Sequence, residues 1–447
     1  MKMNLYPHQK TALEETKNFN KCAYYLDMGL GKTFVGAEKM HQLDKRNNLI
    51  VCQKSKIADW IEHIKKFYNH QVYDLSKPKQ LDEFMGKSLS KKYHITGIIN
   101  YDLVWRRKDL LQLDNYTLML DESSVIQNPK TKRTKFILKL KPTNVILLSG
   151  TPTSGKYENL WSQLNLLGWG ISIDLYYKQY VNWKKIDAGG VPIKVVDKDD
   201  PYKNVDRLKS KMREHGAVFM KTEECFDLPQ QMFQTIKVAA SKEYHKFRKT
   251  CIVQIQTDDV KHELVGDTTL TQLLYSRQLC GQFSANKLQA FKDLCESTKD
   301  RLIVFYNFND ELAALKKIAA DLERPVSEVN GHTKDLTAYD EFSDSITLVQ
   351  YQAGAMGLNL QKSNKIVFFT LPLMSELYEQ AKKRIHRIGQ NKPCFYYLLI
   401  VQDTIEELIL KTLKERKNLT DELFREYEKN HWNIGCDVDG GYGDGIF

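Results

Sequence analysis

The chain has little of what marks several large classes of protein. It contains 23 glycines and 11 prolines in 447 residues, too few for a collagen-like or low-complexity chain. Its apolar runs stay well short of the roughly 20 residues that a membrane-spanning helix needs. The N-terminal M-K-M-N-L-Y-P-H also lacks the apolar segment of a secretory signal. The length predicts roughly two to four globular domains.

Cysteine occurs in no metal-binding pattern. The eight cysteines form no C-x-x-C pair, and no His-x-x-x-His accompanies them, which disfavours zinc ribbons and dithiol redox sites. Thiols that act as small buried hydrophobic groups in a reducing compartment explain this usage better. We therefore expect a cytoplasmic protein with no membrane association.

Positive charge is in excess and unevenly distributed. The formal net charge is +10, and residues 401–447 hold 6 basic and 11 acidic side chains, so the surplus belongs to the first 400 residues. Such a surplus fits a polyanionic partner. The densest run has no acidic residue among Lys130, Lys132, Arg133, Lys135, Lys139, Lys141 and Lys156. It fits a phosphate-facing surface, although a solvated face is the commoner origin of a charge run.

Short apolar, β-branched runs alternate with helical patterns in two stretches, as is typical of parallel α/β sheets. In the first stretch, strands are predicted at residues 22–26, 49–52, 95–100, 117–120 and 145–148, and helices at 33–43 and 57–67. In the second, strands are predicted at residues 302–305, 346–350, 365–369 and 395–400, and a helix at 310–322.

The predicted elements define four segments. Residues 1–156 form an N-terminal α/β lobe and residues 286–430 a C-terminal one. The intervening residues 157–285 have mostly helical patterns and are interpreted as a mainly helical insertion. Residues 431–447 are rich in glycine and aspartate without a packing pattern, which predicts a flexible tail.

A phosphate-binding loop is predicted directly after the first strand. The sequence D-M-G-L-G-K-T would bring backbone N–H groups to phosphate oxygens at Gly29 and Gly31. Lys32 would reach the β and γ phosphates, and the Thr33 hydroxyl would ligate magnesium. The general G-x-x-x-x-G-K-[ST] pattern has glycine where Leu26 stands, so a plain glycine-rich turn is the alternative.

Two further motifs complete the chemistry of such a site. T-L-M-L-D-E ends a predicted strand and delivers Asp121 to the metal and Glu122 to the attacking water. In E-Q-A-K-K-R-I-H-R-I-G-Q, a helix would place Arg384 and Arg387 on one face, where they could act as arginine fingers on the γ-phosphate. The alternatives are an ordinary strand end and a solvated basic helix.

In the first stretch these motifs resemble the Snf/Swi branch of the superfamily-two helicase-like ATPases. L-Y-P-H-Q-K (residues 5–10) is similar to the adenine-recognising Gln motif, D-M-G-L-G-K-T to motif I, and L-I-V-C-Q-K-S (49–55) to the DNA-contacting motif Ia. The acidic pair is similar to the Walker B acids and L-S-G-T-P (148–152) to motif III. N-L-W-S-Q-L-N-L-L (159–167) resembles the stretch that follows motif III.

The resemblance continues through the second stretch and so covers nearly the whole chain. L-I-V-F-Y-N-F (302–308) looks like motif IV and Y-Q-A-G-A-M-G-L-N-L (351–360) like motif V. Q-A-K-K-R-I-H-R-I-G-Q (380–390) looks like motif VI, and its R-I-H-R-I-G-Q ending is the most specific to this branch.

Four departures from the family pattern stand out. Leu26 and Asp27 replace the leading D-E of D-E-M-G-L-G-K-T, and D-E-S-S replaces D-E-A-H. Motif V has Gln352 where arginine is common, and the R-R-x-K stretch is reduced to F-M-K-T at residues 219–222. The acids and the loop lysine are retained, so the departures bear on the coupling of hydrolysis to DNA.

The resemblance implies two RecA-like lobes with parallel sheets flanked by helices, a mainly helical insertion, and the cofactors ATP and magnesium. The implied catalytic residues are Lys32, Asp121, Glu122, Arg384 and Arg387, with Thr33 and Asp121 on magnesium. The implied nucleotide contacts are Gln9, Met28, Gly29, Leu30, Gly31, Lys32, Thr33 and Gly357. The DNA-facing candidates are Lys54, Ser55 and Thr151, together with Lys130, Lys132 and Arg133 from the basic run.

The activity implied is ATP-driven translocation along double-stranded DNA, in replication, recombination, repair or remodelling of protein–DNA complexes. Two other functions stay open: a strand-separating DNA or RNA helicase, and a nucleotide-switched DNA-binding protein with negligible hydrolysis. Nothing in the sequence resembles a histone reader or a zinc module, which favours a minimal monomeric motor of a bacterial or phage-infected cell, in the cytoplasm or associated with the nucleoid.

Overall fold

The structure is a computed structural model that describes residues 4–27, 29–90, 92–153, 156–188, 191–197, 200–256, 261–354 and 358–415. The chain folds as two units that meet between Asp227 and Leu228.

Nine strands belong to the described part of the first unit. They are β1 (Lys21–Leu26), β2 (Asn47–Cys52), β3 (Gln71–Asp74), β4 (Ile95–Asn100), β5 (Tyr116–Asp121), β6 (Asn144–Leu148), β7 (Trp183–Ala188), β8 (Val191–Val196) and β9 (Ala217–Met220). Seven of them form one sheet in the order β3-β4-β2-β5-β6-β1-β9, and every neighbouring pair is parallel. The strands β7 and β8 form a separate antiparallel ribbon.

This sheet is buried on both faces, as its apolar composition requires. Along β1, Cys22, Tyr24 and Leu26 pack into one hydrophobic cluster, whereas Ala23 and Tyr25 pack into another. Side chains alternate between the two faces of a strand, so each face has its own core.

Helices connect the strands of the first unit. They are α1 (Pro7–Glu15), α2 (Lys32–Gln42), α3 (Ile57–Phe67), α4 (Pro78–Ser88), α5 (Tyr101–Val104), α6 (Lys132–Lys139), α7 (Trp161–Leu166), α8 (Ile173–Tyr180), α9 (Val205–Glu214) and α10 (Thr222–Cys225), with 3₁₀ turns at Lys54–Lys56, Lys108–Gln112, Ser123–Ile126 and Tyr157–Leu160. In α3, Ile57, Trp60 and Ile64 are buried at helical spacing and hold the helix against the sheet.

The second unit repeats this architecture with a different strand order. Its strands are β10 (Gln231–Val238), β11 (Ile252–Gln256), β12 (Lys261–Val265), β13 (Leu302–Tyr306), β14 (Val326–Val329), β15 (Lys334–Asp335), β16 (Ile346–Gln350), β17 (Lys365–Phe368) and β18 (Cys394–Val401). The main sheet has the order β10-β18-β17-β13-β16-β14-β15, parallel except for β14 and β15, and β11 pairs with β12 alone.

The helices of the second unit lie between and after these strands. They are α11 (Lys242–Thr250), α12 (Thr269–Cys280), α13 (Ala285–Glu296), α14 (Asn309–Asp321), α15 (Thr337–Glu341), α16 (Tyr351–Gly354), α17 (Ser375–Lys382) and α18 (Ile405–Lys414).

The predicted fold class, two α/β lobes built on parallel sheets, is confirmed in both units. All nine predicted strands are present, and β4 and β16 have the predicted bounds. The strands that the sequence did not reveal lie at or beside sheet edges, such as β3, β9, β10 and β14. Edge strands are short or only partly buried, so their apolar signal is weak.

Residues 157–285, predicted as a mainly helical insertion, contain helices and also six strands in their described part, and the boundary near Asp227 divides them between the two compact units. The division into four segments stays a prediction. The strand β9 extends the first sheet beside β1, and β10 extends the second sheet beside β18. Both strands satisfy backbone groups that an open sheet edge would leave unpaired. The predicted tail at 431–447 lies outside the described residues.

The seven cysteines within the described ranges are free thiols, and five of them are buried. The burial of Cys22, Cys52, Cys280, Cys295 and Cys394 agrees with their predicted role as small hydrophobic groups. None of the described helices combines the length and the apolar character needed to cross a membrane.

A buried ion pair joins two helices of the second unit. The Lys287 ammonium on α13 lies 2.5 Å from Glu406 Oε1 on α18, and the two side chains are 0% and 3% exposed. The Lys287 ammonium also donates to the Phe369 carbonyl, and Glu406 Oε2 accepts from the Val401 N–H. Because both charges are desolvated, removing one partner leaves the other buried and unpaired.

We expect Lys287→Met to lower the free energy of unfolding by about 3 kcal/mol or more, since a buried carboxylate loses its counter-ion. Urea unfolding followed by circular dichroism measures the loss. The matched control is Lys237→Met, because Lys237 pairs with Glu407 at 3.1 Å on the surface, with side chains 53% and 38% exposed. That change should cost less than about 1 kcal/mol. Equal losses in the two variants would contradict the prediction.

Candidate functional site

Three of the predicted motifs end or directly follow neighbouring strands of the first sheet, at the edge where these strands have their carboxyl ends. The strands β5, β6 and β1 lie side by side and run parallel. The glycine loop follows β1, the acidic pair ends β5, and Ser149 follows β6. Since parallel strands present their carboxyl ends at the same edge, the fold brings the three segments together.

The glycine loop has the conformation that its glycines permit. Gly29 and Gly31 have φ values of 90° and 75° in the left-handed region, and α2 begins directly afterwards at Lys32. The first turn of α2, which includes Thr33, therefore points its N–H groups towards the loop. Met28 lies outside the described residues.

The Lys32 side chain folds back over the loop. Its ammonium donates to the carbonyls of Leu26 at 3.0 Å and Asp27 at 3.4 Å. The ammonium therefore lies at the start of the loop, beside the two residues that follow one another at the end of β1. Contact of Lys32 with phosphate oxygens stays a prediction.

The Gln9 carboxamide ties the start of α1 to the glycine loop. Its Oε1 accepts from the Tyr6 N–H at 3.0 Å and its Nε2 donates to the Leu30 carbonyl at 3.1 Å. The His8 ring lies 3.0 Å from the same carbonyl. A Cβ at Gly31 would also crowd Gln9 Nε2 at the flexible end of that side chain, so the left-handed backbone is what favours glycine here. Adenine recognition by Gln9 stays a prediction.

Two of the departures from the family pattern contact each other. Asp27 Oδ2 accepts hydrogen bonds from the N–H of Thr222 at 3.4 Å and from its hydroxyl at 3.2 Å. Thr222 ends the F-M-K-T stretch, whose first two residues lie on β9 beside β1. Leu26 is fully buried in the core. The departures at the start of the loop therefore stabilise its attachment to β9 and leave the glycines and Lys32 in place.

Asp121 is held from two sides at the end of β5. The Trp60 indole N–H donates to its Oδ2 at 2.8 Å, and the Tyr101 hydroxyl donates to its backbone carbonyl at 2.9 Å. Burial raises the pKa of Asp121, while the Trp60 hydrogen bond and the charge of Lys32 act in the opposite direction. The Lys32 charge thus lies close enough to act on this carboxylate.

Glu122 has a left-handed backbone conformation, with φ of 55°. It precedes the 3₁₀ turn Ser123–Ile126, and its carbonyl accepts from the Val125 N–H at 3.0 Å. A non-glycine residue in this region stores strain that the surrounding contacts must hold. Glu122 is partly exposed as a residue, and a base that meets a water molecule must be accessible to solvent.

The residues present fit a magnesium ion. Mg²⁺ usually takes one or two carboxylate or hydroxyl ligands from the protein and completes its shell with phosphates and water. Asp121 and Thr33 carry oxygen atoms of this kind and could supply such ligands. Within the described ranges no group of three or more His, Cys, Asp or Glu side chains could hold a metal by itself. The two candidate ligands therefore suit an ion that arrives with a nucleotide.

The predicted DNA-facing residues of the first unit lie at its surface. Lys54 and Ser55 are exposed on the 3₁₀ turn after β2, and Thr151 is partly buried, its N–H donating to Ser149 Oγ at 3.2 Å. Lys130 is exposed just before α6, and Lys132 is exposed as the first residue of α6. The Lys132 ammonium also lies 5.2 Å from the centre of the Trp105 ring.

Arg133 differs from the rest of the basic run, because it makes an ion pair with Asp102 at 3.3 Å. The other cations at the start of α6 are not drawn into that pair. An ion pair this exposed is weak, so Arg133, like Lys130 and Lys132, stays a predicted DNA contact.

The two predicted arginine fingers do not lie on a helix, so the predicted shared helical face is wrong. The helix α17 ends at Lys382, and Arg384 and Arg387 occupy the turns that follow it. Arg384 is only 7% exposed, and its Nη1 lies 3.5 Å from the Leu358 carbonyl. Arg387 is half-buried, and burial lowers its pKa.

Side chains of the turn after α17 contact the segments that precede β17 and β10. The Gln390 carboxamide donates to the carbonyls of Gln361 and Ser363 at 3.1 and 2.9 Å, and the His386 ring lies 3.0 Å from the Pro229 carbonyl. These contacts hold the turn that follows α17 in place. Gly357, predicted to contact the nucleotide, lies outside the described residues.

Trp60 contacts the candidate site although it belongs to none of the sequence motifs. It lies on α3, 61 residues before Asp121 in the sequence, and is almost fully buried. The sequence does contain a hint of this contact, because the indole N–H of a tryptophan that is buried on a helix needs a hydrogen-bond acceptor. Nothing local in the sequence identified Asp121 as that acceptor.

Comparison with known families matches both units. A family model described as SNF2-related domain matches residues 11–285, and one described as helicase conserved C-terminal domain matches residues 286–389. The two matches meet at residue 286, whereas the compact units meet at Leu228.

Several curated proteins are similar in sequence. The chain is 23% identical to an ATP-dependent helicase of Mycoplasma genitalium over 88% of its length, and 22% identical to the ISWI chromatin-remodeling complex ATPase of Saccharomyces cerevisiae over 90%. It is 26% identical to the ATP-dependent DNA helicase DDM1 of Arabidopsis thaliana over 86%. The chain spans 39%, 38% and 56% of the length of these three relatives.

Among solved structures, the chain matches the SWI2/SNF2 ATPase core of Sulfolobus solfataricus in complex with dsDNA. The match covers 97% of this chain and 95% of that chain, with 21% sequence identity and a TM-score of 0.44.

We expect Trp60→Phe to weaken magnesium-dependent nucleotide binding about tenfold, because it removes the N–H that orients Asp121 and keeps an aromatic ring in the core. Titration of a fluorescent ATP analogue at several magnesium concentrations measures the change. The control is Trp161→Phe, which removes a comparable indole hydrogen bond, to the Ile171 carbonyl at 2.9 Å. An equal loss of affinity in the control would contradict a specific role for Trp60.

Proposed function

The chain belongs to the family of the SNF2-related domain, and we propose that it hydrolyses ATP to move along double-stranded DNA. The observation that carries this proposal is the meeting of the glycine loop and the acidic pair at the edge formed by β1, β5 and β6. The family membership and the DNA helicase named among the relatives support the same activity.

In the proposed reaction Glu122 orients the attacking water and accepts its proton. Lys32 stabilises negative charge on the β and γ phosphates, and Arg384 and Arg387 act on the γ-phosphate in the transition state. Magnesium, on Thr33 and Asp121, supplies Lewis-acid neutralisation of the phosphate charge. Gln9 and Leu30 fix the loop on which the phosphates rest.

The proposed DNA contacts are made to the phosphate backbone. Lys54, Ser55 and Thr151 lie near the loop edge, and Lys130 and Lys132 add exposed positive charge. Backbone contacts carry little sequence information, so binding should be independent of sequence and weaken steeply with salt. We also propose a monomer that acts in the cytoplasm or on the nucleoid, in replication, recombination, repair or remodelling.

Two alternative functions lead to different measurements. A strand-separating helicase would release a labelled strand from a forked duplex in an ATP-dependent manner. A nucleotide-switched DNA-binding protein, which the D-E-S-S sequence motivates, would change its DNA affinity with ATP while releasing phosphate no faster than Lys32→Ala.

We expect double-stranded DNA to raise the rate of ATP turnover, and Glu122→Gln to lower the stimulated rate at least about 100-fold, because the general base is lost. Lys32→Ala should abolish turnover. Phosphate release, measured with single-stranded, double-stranded and forked DNA and with RNA, gives the result. The control Glu62→Gln changes an exposed glutamate of α3 and should behave as wild type. Turnover indifferent to every nucleic acid would contradict the proposal.

We expect the double variant Lys130→Ala, Lys132→Ala to bind duplexes of every sequence more weakly and to a similar extent. The slope of log K against log[salt] should become shallower by about one for each phosphate contact that is lost. Fluorescence anisotropy at two or more salt concentrations measures both. Lys209→Ala, which removes an exposed lysine of α9 outside the basic run, is the control. An unchanged salt dependence in the double variant would show that the run is only a solvated surface.

A further inference from the structure

The segment that follows the S-G-T-P-T sequence connects two loops of the candidate site. It comprises the 3₁₀ turn Tyr157–Leu160 and the helix α7. The sequence predicts no function for this segment beyond its resemblance to the family. Asn159 and Gln163 are four residues apart on this segment, so they project from the same side of it. Each of them bonds to both loops.

Gln163 makes the inner connection. Its Oε1 accepts from the Ser123 hydroxyl at 2.7 Å, and its Nε2 donates to the Pro152 carbonyl at 2.8 Å. The Tyr25 hydroxyl on β1 donates to the same Oε1 at 3.2 Å. Both Gln163 and Ser123 are fully buried.

Asn159 makes the outer connection between the same two loops. Its Nδ2 donates to Gln127 Oε1 at 3.0 Å and contacts the Thr153 carbonyl at 3.5 Å. Gln127 directly follows the 3₁₀ turn that begins at Ser123. The two amides therefore span from the turn after Glu122 to the segment that contains Thr151.

The position of these hydrogen bonds determines what they hold. Ser123 is the residue after Glu122, whose left-handed backbone needs support from its neighbours. Pro152 is the residue after Thr151, a candidate DNA contact. A buried hydroxyl or carbonyl that loses its partner is costly, so neither loop can shift away from Gln163 without breaking a buried bond.

We propose that Asn159 and Gln163 are positioning residues that couple the DNA-contacting segment at Thr151 to the hydrolytic loop at Glu122. This inference rests on the proposed function, and it names the route by which DNA stimulates hydrolysis. It also gives a role to the D-E-S-S sequence, because Ser123 supplies the hydroxyl that Gln163 binds. Neither amide touches the nucleotide site itself, and both act through the two loops.

The test compares DNA stimulation of ATP turnover in wild type and in Gln163→Met, which keeps the side-chain length but can neither accept from Ser123 nor donate to Pro152. We expect the ratio of stimulated to basal kcat to fall about tenfold, the scale on which small displacements of catalytic groups slow reactions. The KM for ATP should change less than about twofold. Asn159→Ala should lower the ratio in the same direction.

Ser162→Ala is the matched control, since Ser162 is the neighbour of Gln163, is fully buried, and makes no side-chain hydrogen bond within the described residues. Its ratio should equal that of wild type. Ser123→Ala should lower the ratio in the wild-type background and add nothing to Gln163→Met, since both changes remove the same bond.

Several outcomes overturn the coupling. They are wild-type stimulation in Gln163→Met, an equal loss in Ser162→Ala, and a parallel rise in the KM for ATP, which would indicate general damage to the site. If circular dichroism shows that Gln163→Met does not fold, the variants Ser123→Ala and Asn159→Ala test the coupling instead. Reduced DNA stimulation in these variants supports the coupling, and full stimulation overturns it. Absence of DNA stimulation in wild type would instead remove the proposed function and the coupling with it.

Discussion

Parallel pairing of β1, β5 and β6 places three loops at one edge of the first sheet, and the candidate site depends on this geometry. The loops come from residues separated by more than a hundred positions, yet each leaves its strand in the same direction. The two hydrophobic clusters that cover the sheet fix the strands in register. The hydrophobic core therefore determines the geometry of the candidate site, although its residues take no part in the chemistry.

Around these loops lies a layer of polar side chains that determine how the reactive groups are held. Gln9 supports the glycine loop, Trp60 orients Asp121, and Gln163 connects the turn after Glu122 to Pro152. All three supporting residues are nearly or fully buried. Buried polar groups of this kind are fully bonded or costly, so each of them restricts the loop that it contacts. The rigidity needed for phosphoryl transfer comes from these contacts and not from the loops themselves.

The departures from the family pattern have physical explanations in the first unit. Asp27 bonds to Thr222, so the altered start of the glycine loop contacts the altered F-M-K-T stretch. Ser123 in D-E-S-S bonds to Gln163, which lies in the segment just after the S-G-T-P-T sequence. The first contact joins two residues that both depart from the family pattern, and the second joins Ser123 to Gln163, 40 positions further along the chain. A comparison of the sequence position by position shows neither contact.

The sequence alone determined the fold class, most of the central strands and the residue types of the site, because strand periodicity and the spacing of the glycine loop are local properties of the chain. It did not reveal β3, β9 or β10, whose weak apolar patterns become strands only beside a sheet edge. It also placed Arg384 and Arg387 on a helix that ends at Lys382, since the bonds of Gln390 and His386 to distant carbonyls are invisible to periodicity. Trp60, Thr222 and Gln163 acquired their roles from partners 61, 195 and 40 positions away. Only tertiary packing decides such contacts, because a hydrogen bond between distant residues depends on the whole path of the chain between them.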